Sequence, residues 1–524
     1  MIIINASSYI NAEFEAELGY LPPCMLPIGN KKLLELQVDV LQRQLPEEKI
    51  VLTLPEAYVL TINEKAVIDN LPLDVVRIPE NFKLSETILY VLNLDIDKSF
   101  RFVRVIQGSV LLTKIPDCSD CIGISKQPSF YHWHEQKKPR DNPSDWIGYF
   151  AFSSRLDLIK ALAISKKSAK RAVYEYQQHI PMQLIDITDY YDCSHFDDYI
   201  HARANMTTER AFNSLVIKDG LVTKTSEVTH KIQAEIYWFT HIPVNLRRFT
   251  PQLIDYREVG NQHFYSLEFL PFMPLNELYV HGRNPIAFWH YIFTLLQEFF
   301  ETAGQADTRR DLDNSYAQAY AYDLYHKKTL KRLGQYEESG AISMDAPVYY
   351  ENRCLGSLMQ ITQDCINKAL AIPATVSIMH GDLCFSNIMY DSRGRRIKIF
   401  DPRGTDSAGN FSIFGTASYD LAKLTHSVIG MYDFIIAGRY ELVTTEQGME
   451  IEFDIDERLE SIRDDFLNIT FIKDFATIDI MPAVVLLFLS MLPLHSDRPD
   501  RQQAMLINAY RLYKTYVLEQ AVCS

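Results

Sequence analysis

The sequence predicts an α/β domain over residues 1–195, followed by an α+β unit with a small β-containing lobe (196–280) and a large, mainly helical lobe (281–524). Three observations carry this reading. Short apolar runs alternate with helical patterns over roughly the first 180 residues. Asp219-Gly220 joins two strand-like segments, a strong hairpin signal. Beyond about Pro285 the apolar residues recur mostly at helical spacing. The length of 524 residues agrees, since at about 150 residues per domain it calls for several structural units rather than one core.

Taken in order, Ile2-Ile3-Ile4 reads as a buried parallel strand that gives way to a loop at Asn5-Ala6-Ser7-Ser8. Further strands are expected at Ile50 to Leu54, Val75 to Ile78 and Phe102 to Ile106, with a helix over Leu33 to Leu45 between the first two of the four. Alternation of this kind implies a largely parallel, three-layer sheet. The polar, acidic and aromatic stretch Asp186 to Asn205 marks the domain boundary. After it, Asn213 to Lys218 and Leu221 to Lys224 form the predicted hairpin, and Ile232, Ile236 and Phe239 place a helix within Ser226 to Phe239. Phe288 to Ala303 and Asn314 to Leu333 read as helices, and a strand-and-loop island interrupts the helical lobe between Val376 and Gly404. No internal repeat or low-complexity tract is evident.

Composition narrows the function classes. With 47% hydrophobic and 23% charged residues the chain is ordinary globular material, neither disordered nor fibrous. Its formal charge of −15 argues against nucleic acid or an anionic membrane as a general partner, while leaving room for local basic pockets. No basic segment precedes a long apolar run at the start, so no signal peptide is expected. Ile480 to Leu494, the most apolar stretch, is shorter than the roughly 20 residues that span a bilayer and reads as a buried helix. Eight scattered cysteines fit a reducing, cytoplasmic setting, and the lone Cys118-Ser119-Asp120-Cys121 lacks the second pair that a zinc site needs. His132 and His134 likewise read as loop residues rather than metal ligands.

The sharpest chemical signal is His380-Gly381-Asp382-Leu383-Cys384-Phe385-Ser386-Asn387, followed by Ile397-Lys398-Ile399-Phe400-Asp401. Phosphoryl transfer needs these residue types: a carboxylate to orient an attacking alcohol and accept its proton, and hard oxygen ligands for Mg²⁺ bridging the phosphates. Asp382 is the candidate base, with Asn387 and Asp401 as metal ligands. The five-residue spacing puts Asp382 and Asn387 on one loop, and a hairpin returns Asp401 beside Asn387. This pattern resembles the catalytic loop and metal-binding aspartate of the aminoglycoside phosphotransferase and choline kinase superfamily. At about one in twenty per position, four fixed residues would arise by chance in a chain this long in well under one case in a hundred.

That resemblance implies a two-lobed, protein-kinase-like fold that uses ATP and Mg²⁺ on a small hydroxyl substrate. It assigns Lys224 to the α- and β-phosphates, Glu235 on the following helix to holding that lysine, and the main chain of Glu268, Phe269 and Leu270 to adenine. No Gly-rich phosphate loop precedes the hairpin, which leaves Arg210 and Asn213 as candidates to cover the phosphates. Asp420, in Tyr419-Asp420-Leu421-Ala422-Lys423-Leu424, is expected to brace the catalytic loop. Whether Arg403 faces a phosphate, an anionic substrate or an internal ion pair stays open, as does substrate contact by His495 or Asp497.

The amino-terminal part resembles the sugar-phosphate nucleotidyltransferases, which have a Rossmann-like sheet, through Leu21-Pro22-Pro23-Cys24-Met25-Leu26-Pro27-Ile28-Gly29-Asn30-Lys31-Lys32-Leu33-Leu34-Glu35. Its active residues depart from that family. Asn5 to Tyr9 stands in place of the Gly-rich triphosphate loop, Pro23-Cys24 in place of Pro-Lys, and Gln107-Gly108-Ser109 in place of Gly-Asp. Asp192 is left as the one matching carboxylate, which suggests a degenerate domain that could still bind a nucleotide. The combination resembles bifunctional bacterial proteins of capsule or surface-polysaccharide synthesis. An active kinase and nucleotidyltransferase pair, and a non-catalytic nucleotide-binding scaffold, are the alternatives. The acceptor's identity and homo-oligomerisation stay open.

Overall fold

Isoleucines 2 to 4 are fully buried on both faces of their strand, so the sheet they begin must be covered on both sides. In the computed structural model that strand, Ile2–Asn5, lies near the middle of a seven-stranded sheet. The structure describes residues 1–94, 102–125, 145–165, 167–208, 214–226, 229–260, 262–305, 312–340, 342–446 and 448–519. Two compact units result, Met1–Glu209 and Arg210–Ser524.

The strand order of the first unit is 183–186, 121–125, 145–152, 103–107, 2–5, 50–55, 74–78. Ile2–Asn5 pairs in parallel with both Ile50–Pro55 and Val103–Gln107, and Ile50–Pro55 with Asp74–Ile78. The sheet is largely parallel as expected, with Asp145–Phe152 alone running antiparallel to both of its neighbours. An apolar run such as Ile147 to Phe152 specifies burial but not direction, which only the connection sets. Ile88, Val91, Leu92, Leu158 and Tyr176 pack on Ile3, Val51, Val105 and Phe150 to close one face. The helix expected over 33–45 spans Leu33–Gln44. Helix Phe196–Thr208 belongs to this unit, since Phe196 and Tyr199 pack against Phe14. The two compact units divide after Glu209. Cys118 and Cys121 form a disulfide at the edge of the Cys121–Ser125 strand, a pairing that the scattered cysteine positions did not suggest.

The second unit begins with a four-stranded antiparallel sheet in the order 214–218, 221–225, 262–268, 253–259. Asp219 and Gly220 both take positive φ (53° and 74°), as a tight two-residue hairpin turn with right-handed strand twist requires. Helix Thr229–His241 buries Ile232, Ala234, Glu235, Trp238 and Phe239. The helical part contains Ile286–Gly304, Asn314–Tyr322 continued through a wider π turn into Lys328–Glu338, Leu358–Ala371, Ala417–Val428, Glu457–Asn468, Met481–Met491 and Pro499–Leu512. Within the island, Val376–Ile378 pairs with Phe414–Thr416, and Ile388–Asp391 with Arg396–Ile399. Thr477–His495 is apolar and long enough to cross a membrane by composition, and 78% of its most apolar window is buried inside the protein.

Candidate active site

His380 anchors the loop that runs to Asn387. Its side chain is fully buried, its Nε2 faces the Phe400 carbonyl at 2.9 Å, and its Nδ1 faces the Asp382 amide at 3.3 Å. A carbonyl can only accept and an amide only donate, so the ring is neutral with its proton on Nε2. Burial enforces this state by pushing the imidazole down to about 4. The Asp420 carboxylate receives the His380 and Gly381 amides, each at 2.7 Å, and so fixes the turn from the opposite side. Gly381 has φ +81°, and a Cβ there would strike Arg403.

The turn presents Asp382, whose side chain is 44% exposed and 2.8 Å from the Lys423 ammonium. Burial alone would lift its carboxyl, but Lys423 outweighs that effect and holds it well below the usual carboxylate range. Asn387 donates its Nδ2 to the Asp382 carbonyl (2.9 Å) and carboxylate (3.2 Å), leaving its Oδ1 as the acceptor available to a cation. The short hairpin pairs Ile388 with Ile399, and the Phe400 amide closes on the Asn387 carbonyl at 3.1 Å. Asp401 follows in the left-handed region (φ 59°), which short polar side chains tolerate best among residues with a Cβ. For the magnesium that the resemblance implies, this donor set fits: one carboxylate and one amide oxygen, both hard, beside a cavity with room for phosphates and water. Clusters of three or more His, Cys, Asp or Glu suited to a metal are absent among the described residues, and magnesium bound through phosphates needs none.

The small lobe contributes Lys224, 4% exposed, in the middle of its sheet. Its ammonium lies 3.0 and 2.8 Å from the two Glu235 oxygens and 2.8 Å from Asp401 Oδ1, so one side chain ties the sheet, the helix and the metal-type aspartate together. Burial would lower the Lys224 pKa, yet Asp401 and Glu235 raise it overall. Burial lifts Glu235, with Lys224 opposing, and the Tyr265 hydroxyl donates to the same carboxylate at 2.5 Å.

Of the backbone amides proposed for adenine, Glu268 donates to the Gln252 carbonyl (3.0 Å) and Phe269 to that of Gly220 (2.8 Å). Two of the three donors are thus already engaged, and Leu270 retains an amide without a partner among the described residues. Arg210 and Asn213 lie outside the described residues, as do His132 and His134.

Asp382, Asn387 and Asp401 line a cavity of about 550 Å³. Reasoning from sequence missed four of its side chains: Lys423, Lys328, Arg332 and Tyr419. A signal for the first existed, because Asp420 and Lys423 are three apart and share a helix face, so a helix bracing the loop through Asp420 also delivers Lys423. The same holds for Lys328 and Arg332, four apart on the next helix wall. Arg403 also lines the cavity, bonded to the Tyr419 hydroxyl at 3.0 Å and that of Tyr320 at 3.3 Å, with no ion pair among the described residues. Leu494 reaches the cavity wall, whereas His495 and Asp497 do not.

In the first unit the position after the first strand carries a neutral, mutually satisfied network. Asn5 Nδ2 donates to Gln107 (2.9 Å), and Asn5 Oδ1 accepts from the Ser7 (3.0 Å) and Thr53 (3.3 Å) hydroxyls. Cys24 is fully buried, and burial raises its thiol far above the ordinary range. Asp192 sits across from Val110 on a short ribbon, its Oδ1 capping the Ser194 amide at 2.8 Å. These residues offer a triphosphate no cationic side chain and a metal one carboxylate.

Neither a protein-family profile nor a curated protein matches the sequence. Solved structures of two kinds do. The chain is similar to a nucleoside-diphosphate-sugar pyrophosphorylase from Vibrio cholerae RC9 (14% identity, TM-score 0.31, 39% of this chain and 100% of that one). It is also similar to a 4-diphosphocytidyl-2C-methyl-D-erythritol synthase (15% identity, TM-score 0.29, 39% and 96%). A thermostable mutant of aminoglycoside phosphotransferase APH(4)-Ia, solved in its apo form, represents the second kind (11% identity, TM-score 0.37, 58% and 90%). Overlaps this loose carry no information on what the chain does.

Proposed function

We propose that the second unit is a kinase that transfers the γ-phosphoryl group of ATP to a hydroxyl group of a small metabolite. One observation carries the reading: a carboxylate held ionised (Asp382) and two oxygen donors (Asn387, Asp401) line one cavity, and a lysine clamped by a helix glutamate (Lys224, Glu235) is tied to it by a 2.8 Å contact with Asp401. Asp382 orients the acceptor hydroxyl. Its oxygen bonds to the γ-phosphorus as the bond from that phosphorus to the β,γ-bridging oxygen breaks, and ADP leaves with the electron pair. The hydroxyl proton passes to the Asp382 carboxylate. A base with so low a pKa accepts it late, as a loose phosphoryl-transfer transition state allows. Lys224 holds the α- and β-phosphates, Leu270 offers its amide to adenine, and Arg210 and Asn213 cover the phosphates. Magnesium at Asn387 and Asp401 would neutralise charge on the β- and γ-phosphates.

The first unit we read as a degenerate nucleotidyltransferase-like domain, supported by the neutral Asn5–Gln107 network and the buried Cys24. Its fusion to a kinase supports a place in capsule or surface-polysaccharide precursor synthesis. Phosphorus NMR with ATP, Mg²⁺ and a pooled panel of sugars, polyols, amino alcohols and hydroxy acids tests the kinase. A new phosphate ester is expected, with turnover falling about 10²- to 10⁴-fold in a folded Asp382→Asn variant. Unchanged turnover in that variant would remove Asp382 as the base. Pyrophosphate release from any nucleoside triphosphate with a sugar phosphate would overturn the degenerate reading of the first unit.

A further inference from the structure

The cavity beside Asp382 is far more cationic than phosphoryl transfer by the residues above requires. Lys231, Lys328, Arg332, Arg403 and Lys423 line it, against the carboxylates of Asp382 and Asp401. Both carboxylates are already matched, Asp382 by Lys423 and Asp401 by Lys224, each at 2.8 Å, and Lys231 lies 3.9 Å from Glu235. Lys328, Arg332 and Arg403 are left. None makes an ion pair among the described residues, and all three are half-buried. No carboxylate is among their partners: Lys328 and Arg403 meet the Tyr419 hydroxyl at 3.3 and 3.0 Å, and Arg332 donates to the Ser490 carbonyl at 3.0 Å.

Three partly desolvated cations on one wall are unfavourable unless an anion joins them. In a chain of formal charge −15 this local excess is a feature of the site and not of the protein at large. The wall also stands next to the reacting group. Tyr419 and Lys423 share one helix, and Lys423 is the residue that touches Asp382. We infer that the acceptor is an anionic hydroxyl compound, whose phosphate or carboxylate group is held by Lys328, Arg332 and Arg403 while its hydroxyl faces Asp382. The inference rests on the kinase reading for the hydroxyl, and on the cation wall alone for the anion.

Tyr419 behaves as expected of a group enclosed by these cations. Burial would raise its phenol, but Lys328, Arg403 and Lys423 outweigh that and bring it down to about 7. Tyr419 in turn supports the charge on Lys328, yet burial and the neighbouring Arg403, Arg332 and Lys423 still lower that ammonium to about 8. An arriving oxyanion would relieve this repulsion. A cationic amino alcohol would add to it.

Two measurements on the full chain test the inference separately from the kinase. First, calorimetry of protein saturated with Mg²⁺ and a non-hydrolysable ATP analogue, titrated with inorganic phosphate, should detect one bound equivalent. The affinity should fall at least about tenfold in Lys328→Gln/Arg332→Gln and measurably in Arg332→Gln alone, which loses only one carbonyl contact if the double variant does not fold. No binding, or binding unchanged in Arg332→Gln, overturns the anion site. Second, turnover is compared for glycerol, glycerol 3-phosphate, glycerate and ethanolamine. Preference for an anionic member, with KM raised and kcat nearly unchanged in Arg332→Gln, supports the inference, and its phosphate or carboxylate names the source. Glycerol or ethanolamine used as well as the anions overturns it. Phosphate binding that weakens in the variants without turnover of any acceptor would overturn the kinase and leave the anion site standing.

Discussion

Removing Lys423 should raise the Asp382 pKa by about two units and so bring an acid limb into the pH profile of the proposed kinase. The 2.8 Å contact between the Lys423 ammonium and Asp382 is the attraction that outweighs burial and depresses the carboxyl. Two unit charges at that distance interact by about 6 kcal/mol at an effective dielectric of about 20 and about 1.5 kcal/mol in bulk water. Asp382 is 44% exposed, so solvent screens the pair and a value near 3 kcal/mol is reasonable. At 1.36 kcal/mol per unit this is a shift of about two pH units. The sign follows from the depressed pKa. With Lys423 present, Asp382 stays ionised through the whole assay range and no acid limb from it is seen. In Lys423→Met only the weaker pulls of His380 and Arg403 still oppose burial, the carboxyl rises toward its ordinary range, and activity falls as pH drops through that value. The assay is kcat/KM from about pH 3 to 9 for the acceptor used, or for slow ATP hydrolysis by water, with circular dichroism at each pH to confirm folding. An acid side in Lys423→Met as flat as that of the unsubstituted protein, whatever the loss of rate, would refute the claim that Lys423 sets the charge of Asp382.

Two further outcomes follow from the lobe contacts. Glu235→Ala breaks a pair in which Lys224 is 4% and Glu235 0% exposed, so thermal or denaturant unfolding of the second unit should show a loss of about 3–5 kcal/mol. A Lys224→Met/Glu235→Leu double variant should regain most of that stability while remaining inactive, and activity in it would exclude Lys224 from phosphate binding. Gly404 has φ +66°, and a Cβ there would run into the Ala234 carbonyl on helix Thr229–His241. Gly404→Ala should therefore cost about 1–2 kcal/mol for the left-handed backbone alone and more for the clash, push away the helix that carries Glu235, and raise KM for ATP. Unchanged ATP kinetics would mean that the helix position does not govern the lysine.

How much of this was legible depended on distance along the chain. The geometry of Asp382, Asn387 and Asp401 is local, a turn and one short hairpin, so eight residues and a following apolar run were enough to place them together. Lys224 and Glu235 lie 11 residues apart on a strand and the next helix, and the family resemblance implied the contact found at 2.8 Å. The second hairpin of the small lobe, Leu253–Val259 with Gln262–Glu268, escaped notice because its outer strand is largely exposed and lacks a clean apolar alternation. The antiparallel Asp145–Phe152 strand and the Cys118–Cys121 disulfide depend on how connections run, which periodicity does not encode.

The cation wall was the least legible feature, and its physics explains why. Lys328 and Arg332 lie on one helix, Arg403 follows the metal-type aspartate, and Tyr419 begins another helix, so no single window of sequence contains the group. Read one at a time, each is an ordinary basic residue whose default is a solvated surface or a carboxylate partner. The fold withholds both. It buries these residues in part, spends the nearby carboxylates on Lys423 and Lys224, and among the described residues leaves phenols and a carbonyl as the hydrogen-bond partners of the three cations. The two ends of the cavity thus differ in kind. At the lobe junction, charges are paired and positioned before any ligand arrives. On the acceptor side, positive charge is left over, and what balances it has to come in with the substrate.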